Sequence, residues 1–185
     1  MPVLIAMLRA VNVGGHSKIK MDALRKLFLD LRLEEPQTYV QSGNIIFRSR
    51  ESGLEKIAER IQEGIESRFG CCPDVVLRTP DELRTVVAKN PFKGRSGIEP
   101  GKLQVVFLLS DAAKTARAEL SAQNFNPEEL HLATRELYIY FPDGMGNSKL
   151  PWKRVDKILG TRGTARNWNS VTKILDIAAK LEAAG

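Results

Sequence analysis

The sequence predicts an α+β protein made of two tandem βαββαβ subdomains, with an extra linking helix and a C-terminal helix. Two observations lead to this prediction. Short apolar stretches typical of strands alternate with longer stretches in which apolar residues recur every three or four positions, as in amphipathic helices. The order strand, helix, strand, strand, helix, strand occurs in residues 1–78 and again in residues 103–185. This is the element order of the ferredoxin-like unit, so the sequence predicts two ferredoxin-like subdomains.

Four strands and two helices are predicted in the first subdomain. Residues 3–8 are apolar on both faces and therefore fit a central strand. A tight hairpin is predicted at 41–44, because Ser-Gly between two β-rich stretches is a turn sequence. The other predicted elements are strands at 38–40, 45–47 and 74–77 and helices with apolar faces at 24–31 and 54–69.

A linking segment, residues 79–102, separates the two subdomains. Thr79, Pro80 and Glu82 combine a capping box with proline at the first helical position, which predicts a helix that stops before Pro91. Residues 92–102 contain three glycines and a proline and are predicted to be a loop.

In the second subdomain the predicted strands are 103–109, 128–133, 136–141 and 161–165. Helices are predicted after Ser110, at 148–159 ending at Gly160, and after an Asn167 cap.

Composition and charge narrow the class of protein. Hydrophobic residues make up 43% of the 185 residues and charged residues 27%, which is typical of a folded soluble domain. No apolar run approaches the ~20 residues that span a bilayer, and the start of the chain resembles a strand rather than a signal peptide. The cysteines, Cys71 and Cys72, are adjacent and unsuited to a structural disulfide. We therefore expect a cytoplasmic protein that does not contact a membrane.

The net charge of +6 favours a polyanionic partner. Residues 149–166 contain six basic residues and one acidic residue, Asp156. A solvated helix face is the alternative explanation for this run of charge.

The loop after the first strand is the principal candidate site. Gly14 and Gly15 allow close approach of backbone N–H groups to a ligand, and Lys18 and Lys20 precede the first helix, whose N-terminus attracts anions. Arg9 follows the apolar strand directly, so we expect its side chain at the rim where that strand ends. There it is expected to pair with an acidic side chain or to contact a ligand phosphate. The loop lacks the spacing of a Rossmann or Walker A motif, and an ordinary strand-to-helix turn is the alternative.

The predicted topology brings a second polar stretch to this loop. The first and second strands run toward the same end of a ferredoxin-like sheet, so residues 12–20 and 41–44 are expected to share one rim. That rim would combine Asn12 with Gln41, Ser42 and Asn44. Taken alone, the second stretch has the composition of an ordinary hairpin turn.

Two later stretches also carry candidate ligand-binding residues. Ser148 and Lys149 follow a glycine-containing loop at a predicted helix start, where an N-cap is the alternative role of the serine. The tract 161–169 contains arginines and asparagines, which make bidentate contacts with phosphates and bases, beside a tryptophan that offers a stacking face. Its candidates are Arg162, Arg166, Asn167 and Asn169.

Metal and cofactor chemistry are not predicted. The only histidines are His16 and His131, and with one adjacent cysteine pair they assemble no zinc spacing. No Ser-His-Asp arrangement is identifiable, and the RRM aromatic pattern is absent. We expect no cofactor and no metal, and no catalytic residue is assigned.

Several motifs resemble a bacterial family known as domain of unknown function 1697. They are Leu-Arg-Ala-Val-Asn-Val-Gly-Gly at 8–15, Gln-Ser-Gly-Asn at 41–44, Phe-Pro-Asp-Gly at 141–144 and Thr-Arg-Gly-Thr-Ala-Arg-Asn-Trp-Asn at 161–169. Ala10 stands where the family usually carries glycine. The resemblance implies a cytoplasmic α+β protein of two ferredoxin-like subdomains and implies no activity.

Three hypotheses for function remain open at this point. The first is binding of a phosphorylated or polyanionic ligand, with nucleic acid or a nucleotide as the leading candidate. The second is an enzyme that acts on a small phosphorylated metabolite, with His16 or Asp143 as general base and Lys149 and Arg162 holding the phosphate. The third is a protein-interaction module whose polar loops are only turns.

Overall fold

The computed structural model describes residues 1–12 and 19–185. None of the helices in these residues is long and apolar enough to cross a membrane. The elements of the described chain are β1 (Val3–Leu8), α1 (Met21–Asp30), β2 (Glu34–Tyr39), β3 (Asn44–Arg48), α2 (Leu54–Phe69), β4 (Val75–Arg78), α3 (Pro80–Ala88), β5 (Leu103–Leu108), α4 (Ala116–Ser121), β6 (Glu129–Leu132), β7 (Glu136–Tyr140), α5 (Trp152–Leu159), β8 (Gly163–Asn167) and α6 (Trp168–Ala183).

The chain divides into two units by its internal contacts. Unit 1 contains Met1–Thr85 together with Lys173–Gly185, and unit 2 contains Val86–Thr172. Each unit has a four-stranded antiparallel sheet, with strand order β2-β3-β1-β4 in unit 1 and β6-β7-β5-β8 in unit 2. The predicted mixture of helix and antiparallel sheet is confirmed. The finer division into 1–78, 79–102 and 103–185 stays a prediction.

The central strand of unit 1 is buried along its whole length. One face, with Leu4 and Leu8, belongs to the core formed with α1 and α2, where Phe28 and Phe47 meet edge to face at 5.2 Å between ring centroids. On the sheet's other face the buried Arg48 donates to the Met1 carbonyl at 3.1 Å and to a carbonyl near the end of α6. These bonds attach the C-terminal helical segment to the first sheet.

Unit 2 has a corresponding core beneath α4 and α5, to which Val106, Leu108 and Ile139 contribute. On the opposite face, Tyr138 donates its hydroxyl to the Val86 carbonyl at 2.9 Å. Tyr140 similarly donates to the Gly97 carbonyl at 3.2 Å. The two tyrosines therefore hold the segment before β5 against the sheet.

The strands of the two sheets are paired in the same pattern. Ile5 of β1 lies between Ile46 of β3 and Arg78 of β4. Val105 of β5 lies between Tyr138 of β7 and Arg166 of β8 in the same way. The chain thus repeats its strand pairing even though its residues do not repeat.

The repeat extends to the loops at the end of each central strand. Leu8 N–H donates to the Gly43 carbonyl, and the next residue, Arg9, donates to the Asp74 carbonyl at 2.9 Å. At the equivalent positions of unit 2, Leu108 N–H donates to the Arg135 carbonyl and Leu109 N–H to the Arg162 carbonyl, both at 2.9 Å. Each sheet therefore ends in a rim made of the loop after its central strand, a hairpin and the entry to its last strand.

The predicted helix caps have mixed outcomes. Thr79 and Glu82 exchange the two bonds of a capping box, at 2.7 and 3.2 Å, and Asn167 accepts the Asn169 N–H at 3.0 Å, as predicted. Ser148 is not the cap of α5, because Pro151 precedes a helix that starts at Trp152. The Ser148 hydroxyl instead accepts the Leu150 N–H at 3.0 Å and closes a local turn.

Candidate functional site

The candidate site is the first rim, defined here as Arg9–Asn12, Lys20 and the hairpin 40–44 at the end of the first sheet. Asn12 is its connecting residue. Its side-chain amide donates to the carbonyls of Ile19 at 2.9 Å and Gln41 at 2.8 Å, and its carbonyl oxygen accepts the Ile19 N–H at 2.7 Å. One side chain thus joins Asn12 and Ile19, the described ends of the first predicted stretch, to Gln41 of the second.

The hairpin is closed by Asn44, which is fully buried. Its side-chain amide donates to the Ser42 hydroxyl at 2.8 Å and to the Tyr39 carbonyl at 3.2 Å. Gly43 has φ +70°, and a Cβ at that position would lie 2.8 Å from the Leu8 Cβ. Only glycine lets the hairpin come so close to β1.

Backbone strain is concentrated at this rim. Ala10 and Asn12 have φ of +57°, and Val40 has φ of +50°. Asparagine tolerates the left-handed region, whereas alanine and a β-branched valine adopt it at a cost of about 1–2 kcal/mol each. Strained residues of this kind cluster at ligand-binding sites, because the surrounding structure must hold them in place.

The first rim carries the positive side chains of Arg9 and Lys20, and the negative side chain of Asp74 lies beside it. Arg9 Nη1 lies 3.6 Å from Asp74 Oδ2, and the arginine side chain remains 39% exposed while the aspartate is 12% exposed. Lys20 is exposed at the N-cap position of α1, and its own side chain makes no capping hydrogen bond. The described part of the rim therefore offers two cations and a helix N-terminus, with one largely buried acid among them.

Part of the predicted glycine loop lies outside the described residues. Gly14, Gly15, His16 and Lys18 all fall within residues 13–18. The roles predicted for them stay predictions.

The candidate residues of the second half are spread over two ends of the second sheet. Arg162 is exposed beside Leu109, at the end where β5 finishes. Asn167 pairs with Gln104 near the start of β5, so it lies at the opposite end, five strand residues or about 17 Å away at the usual rise per residue. Unit 2 therefore does not bring its predicted binding residues into one cluster.

Arg166 lies between these ends and is 7% exposed. Its guanidinium donates to the Thr164 hydroxyl at 2.6 Å and to the Ala165 carbonyl at 2.9 Å. Burial away from water lowers the pKa of Arg166 to about 10, because desolvation disfavours its charge. These contacts give Arg166 a structural role within β8.

The other candidates of unit 2 also make structural contacts. The Ser148 hydroxyl donates to the Glu128 carboxylate, and the Asn167 amide donates to the Gly101 carbonyl at 2.7 Å. Lys149 and Asn169 are exposed. Ser148 and Asn167 therefore support neighbouring loops as well as offering polar groups.

The described residues include side chains of metal-binding types and titratable groups with shifted pKa values. Among them, no three His, Cys, Asp or Glu residues lie close enough together to hold a metal ion. Cys72 is exposed, and desolvation together with Glu66 raises the pKa of its thiol, which keeps it protonated at neutral pH. Phe141 bonds to Lys102 before the start of β5, so Asp143 follows the sheet end opposite Arg162, and Ser148, next to Lys149, bonds to Glu128 beside that same end. The phosphate clamp of the enzyme hypothesis stays a prediction.

Some rim residues were missed from the sequence. The sequence predicts Asp74, the partner of Arg9, only as the start of a strand and Ser110 only as the cap of a helix, which in the structure begins instead at Ala116. Arg135 and Thr161 are predicted only as parts of a turn and of an extended segment. In the structure Ser110 and Thr161 share a hydroxyl hydrogen bond of 2.9 Å at the end of the second sheet. The available signal was their position, since each directly follows or precedes a strand at the same end of its sheet.

The fold and the first rim define the class of protein: an α+β protein with two four-stranded antiparallel sheets, the first of which ends in a strained, polar loop cluster. The chain belongs to the family described as "Protein of unknown function (DUF1697)", whose model matches residues 1–138. This confirms the family resemblance seen in the sequence.

A solved structure is also similar. It is described as "The structure of conserved bacterial protein SP0830 from Streptococcus pneumoniae", and it matches with a TM-score of 0.77 and 19% identity over 97% of this chain and 99% of that one. At that identity the likeness shows the fold alone. No curated protein matches the chain.

Proposed function

We propose that the first rim binds a phosphorylated ligand, a nucleotide or the phosphate of a nucleic acid. The observation that carries the proposal is the double attachment of Asn12 to Ile19 and Gln41. Three hydrogen bonds from the Asn12 side chain hold Ile19 and Gln41 beside each other, so this part of the rim is fixed before a ligand arrives. Binding groups that are already held in place lose less entropy when they bind.

The charges support a phosphate group in particular. Lys20 and the N-terminus of α1 supply positive potential, and Arg9 can make bidentate contacts with phosphate oxygens. Asp74 holds Arg9 in position while no ligand is bound. A phosphate that reaches Arg9 therefore competes with the Asp74 carboxylate.

We also propose that the chain forms two ferredoxin-like subdomains and that the protein is cytoplasmic. The βαββαβ order and the strand order with β1 or β5 beside the last strand support two ferredoxin-like subdomains. The two free, adjacent cysteines support a reducing, cytoplasmic location.

The experiment is a thermal-shift screen of the full chain with nucleotides, sugar phosphates and short oligonucleotides. A ligand that binds only the folded state stabilises it by about 2.7 kcal/mol at a hundredfold excess over Kd. Arg9→Ala and Lys20→Ala should reduce the shift. Lys56→Ala is the matched control, because Lys56 is exposed on α2 near the end of the first sheet opposite the rim.

The variant Asp74→Asn distinguishes two roles of Arg9: direct contact with the ligand, and structural support of the rim through its ion pair with Asp74. If Arg9 binds the ligand, removing the charge of its partner should preserve or strengthen binding while Arg9→Ala weakens it. The proposal is wrong if no phosphorylated compound shifts the melting temperature, or if the Arg9 and Lys20 variants bind as tightly as the Lys56 control.

A further inference from the structure

The helical layer of unit 2 carries an unusual concentration of exposed positive charge. Helices α4 and α5 pack against each other, and the Ala113 N–H donates to the Leu159 carbonyl at 2.8 Å, which holds the segment before α4 against the end of α5. We call this face the α4–α5 surface. Its exposed basic residues are Lys114, Arg117, Lys149, Lys153, Arg154 and Lys157.

The equivalent layer of unit 1 is different. There the arginines of α1 and α2 are neutralised in the ion pairs Arg25–Asp22, Arg60–Glu51 and Arg68–Asp30. None of the ion pairs found among the described residues involves a basic residue of the α4–α5 surface. Only two acids, Glu119 and Asp156, lie in the surrounding segments 113–121 and 148–160.

We propose that the α4–α5 surface binds the phosphate backbone of double-stranded nucleic acid without reading its sequence. Unpaired lysines and arginines on a rigid helical face gain free energy by releasing counterions from a polyanion. On α5, Lys153 and Lys157 are one helical turn apart and lie about 6 Å apart along the axis. The surface is distinct from the first rim, and the inference does not depend on the rim binding a ligand.

The apolar side of α5 argues against an anionic membrane as the partner. Val155 and Leu159 are buried in the core of unit 2, at 0% and 1% exposure. A helix that binds a membrane surface needs free apolar side chains to insert beside its basic ones. The described segments 113–121 and 148–160 expose no large hydrophobic residue.

The lack of a stacking face argues against single strands. Trp152 is the only aromatic residue of segments 113–121 and 148–160, and it is half-buried with its ring centroid 6.3 Å from that of Phe141. Proteins that bind single strands stack bases on exposed aromatic side chains. A duplex, which presents phosphates and keeps its bases stacked, fits this surface better.

The test measures affinity for a labelled duplex of about twenty base pairs by fluorescence anisotropy, as a function of salt concentration. The variant Lys153→Gln/Arg154→Gln/Lys157→Gln is compared with Lys26→Gln/Lys56→Gln/Lys180→Gln. The second triple removes the same charge from exposed positions of unit 1, and all six side chains are exposed, so both proteins should fold. Circular dichroism melting checks the folding.

The expected result is that wild type and the unit 1 variant bind with the same salt slope. The α5 variant should bind more weakly, with a slope reduced by about 0.9 for each phosphate that it no longer neutralises. Equal losses in the two variants, or no duplex binding even at low salt, would overturn the inference. Tighter binding to a single strand, or to phosphatidylserine vesicles, would overturn it as well. If no phosphorylated compound binds the first rim, the expected duplex binding by the α4–α5 surface stays the same. Either proposal can therefore be wrong while the other is right.

Discussion

The Asn12 side-chain amide lies 2.8 Å from the Gln41 carbonyl oxygen, a bond between residues 29 positions apart. The same amide donates to the Ile19 carbonyl at 2.9 Å, so one side chain links Asn12 and Ile19, the described ends of the loop after β1, to the β2–β3 hairpin.

Replacing Asn12 should therefore destabilise unit 1 in a graded way. Asn12→Gly removes three hydrogen bonds, each worth roughly 1 kcal/mol net, and lowers the free energy of unfolding by about 3 kcal/mol. Asn12→Ala should cost about 1 kcal/mol more, because alanine is strained at φ +57°. Urea unfolding would measure both variants, and equal stability of Asn12→Ala and wild type would contradict the role of this side chain.

Ala10→Gly should stabilise the protein. Ala10 is left-handed at φ +57°, a backbone conformation that glycine adopts without strain. Relief of the strain outweighs the greater unfolded-state entropy of glycine by up to about 1 kcal/mol. Ala179→Gly is the control, since an exposed position inside α6 should lose about 1 kcal/mol for the same substitution. Loss of stability in both variants would mean that Ala10 is not strained.

Gly43→Ala should be among the most damaging single changes at the rim. Its new Cβ would meet the Leu8 Cβ at 2.8 Å, and φ is +70°. Gly70→Ala is matched in backbone conformation, at φ +69°, but its Cβ would meet nothing within 4 Å. Both variants lose about 1–2 kcal/mol to the left-handed backbone, and Gly43→Ala should lose more because of the overlap. Thermal or urea unfolding of the pair tests this, and equal losses would refute the close approach.

Much of this architecture could be predicted from the sequence, because hydrophobic periodicity records which faces are buried. Residues 3–8 and 54–69 have the strand and helix that their patterns predict. β2 was predicted only at 38–40, since residues 34–37 are polar and include a proline. They nevertheless pair at the sheet edge, with a bulge between Glu34 and Gln37.

The site was harder to predict than the fold. Proximity of Asn12 and Gln41 followed from strand direction, which the element order predicts. The ion pair of Arg9 with Asp74 could not be predicted in this way, because nothing in a single sequence identifies which acidic residue a surface arginine contacts. The burial of Arg166 also lacked a local signal, since it depends on which face of β8 is covered.

The acid stability of unit 2 should depend on Glu129. Arg95 donates to both of its carboxylate oxygens, at 2.8 and 3.0 Å, and these bonds lower the pKa of Glu129. A lowered folded-state pKa means that the stabilisation is fully present above the ordinary pKa near 4.5 and is lost as pH falls through the folded value.

The measurement compares wild type with Glu129→Gln from pH 7 to pH 2. Wild type should be modestly more stable at pH 7, and the difference should disappear at acid pH. The gap should also shrink in high salt, because the pair is exposed to solvent. A difference that stays constant across the pH range would contradict the ion pair.

The most direct test of the first rim is a two-dimensional ¹H–¹⁵N NMR titration of the labelled chain with the phosphorylated ligand that gives the largest thermal shift. The account predicts that amide shifts concentrate at Ile19, Lys20 and residues 41–44, and that Arg9→Ala weakens the apparent Kd measured at those amides. Shifts absent from these residues, or centred on β5–β8 while the rim amides stay fixed, would contradict the account.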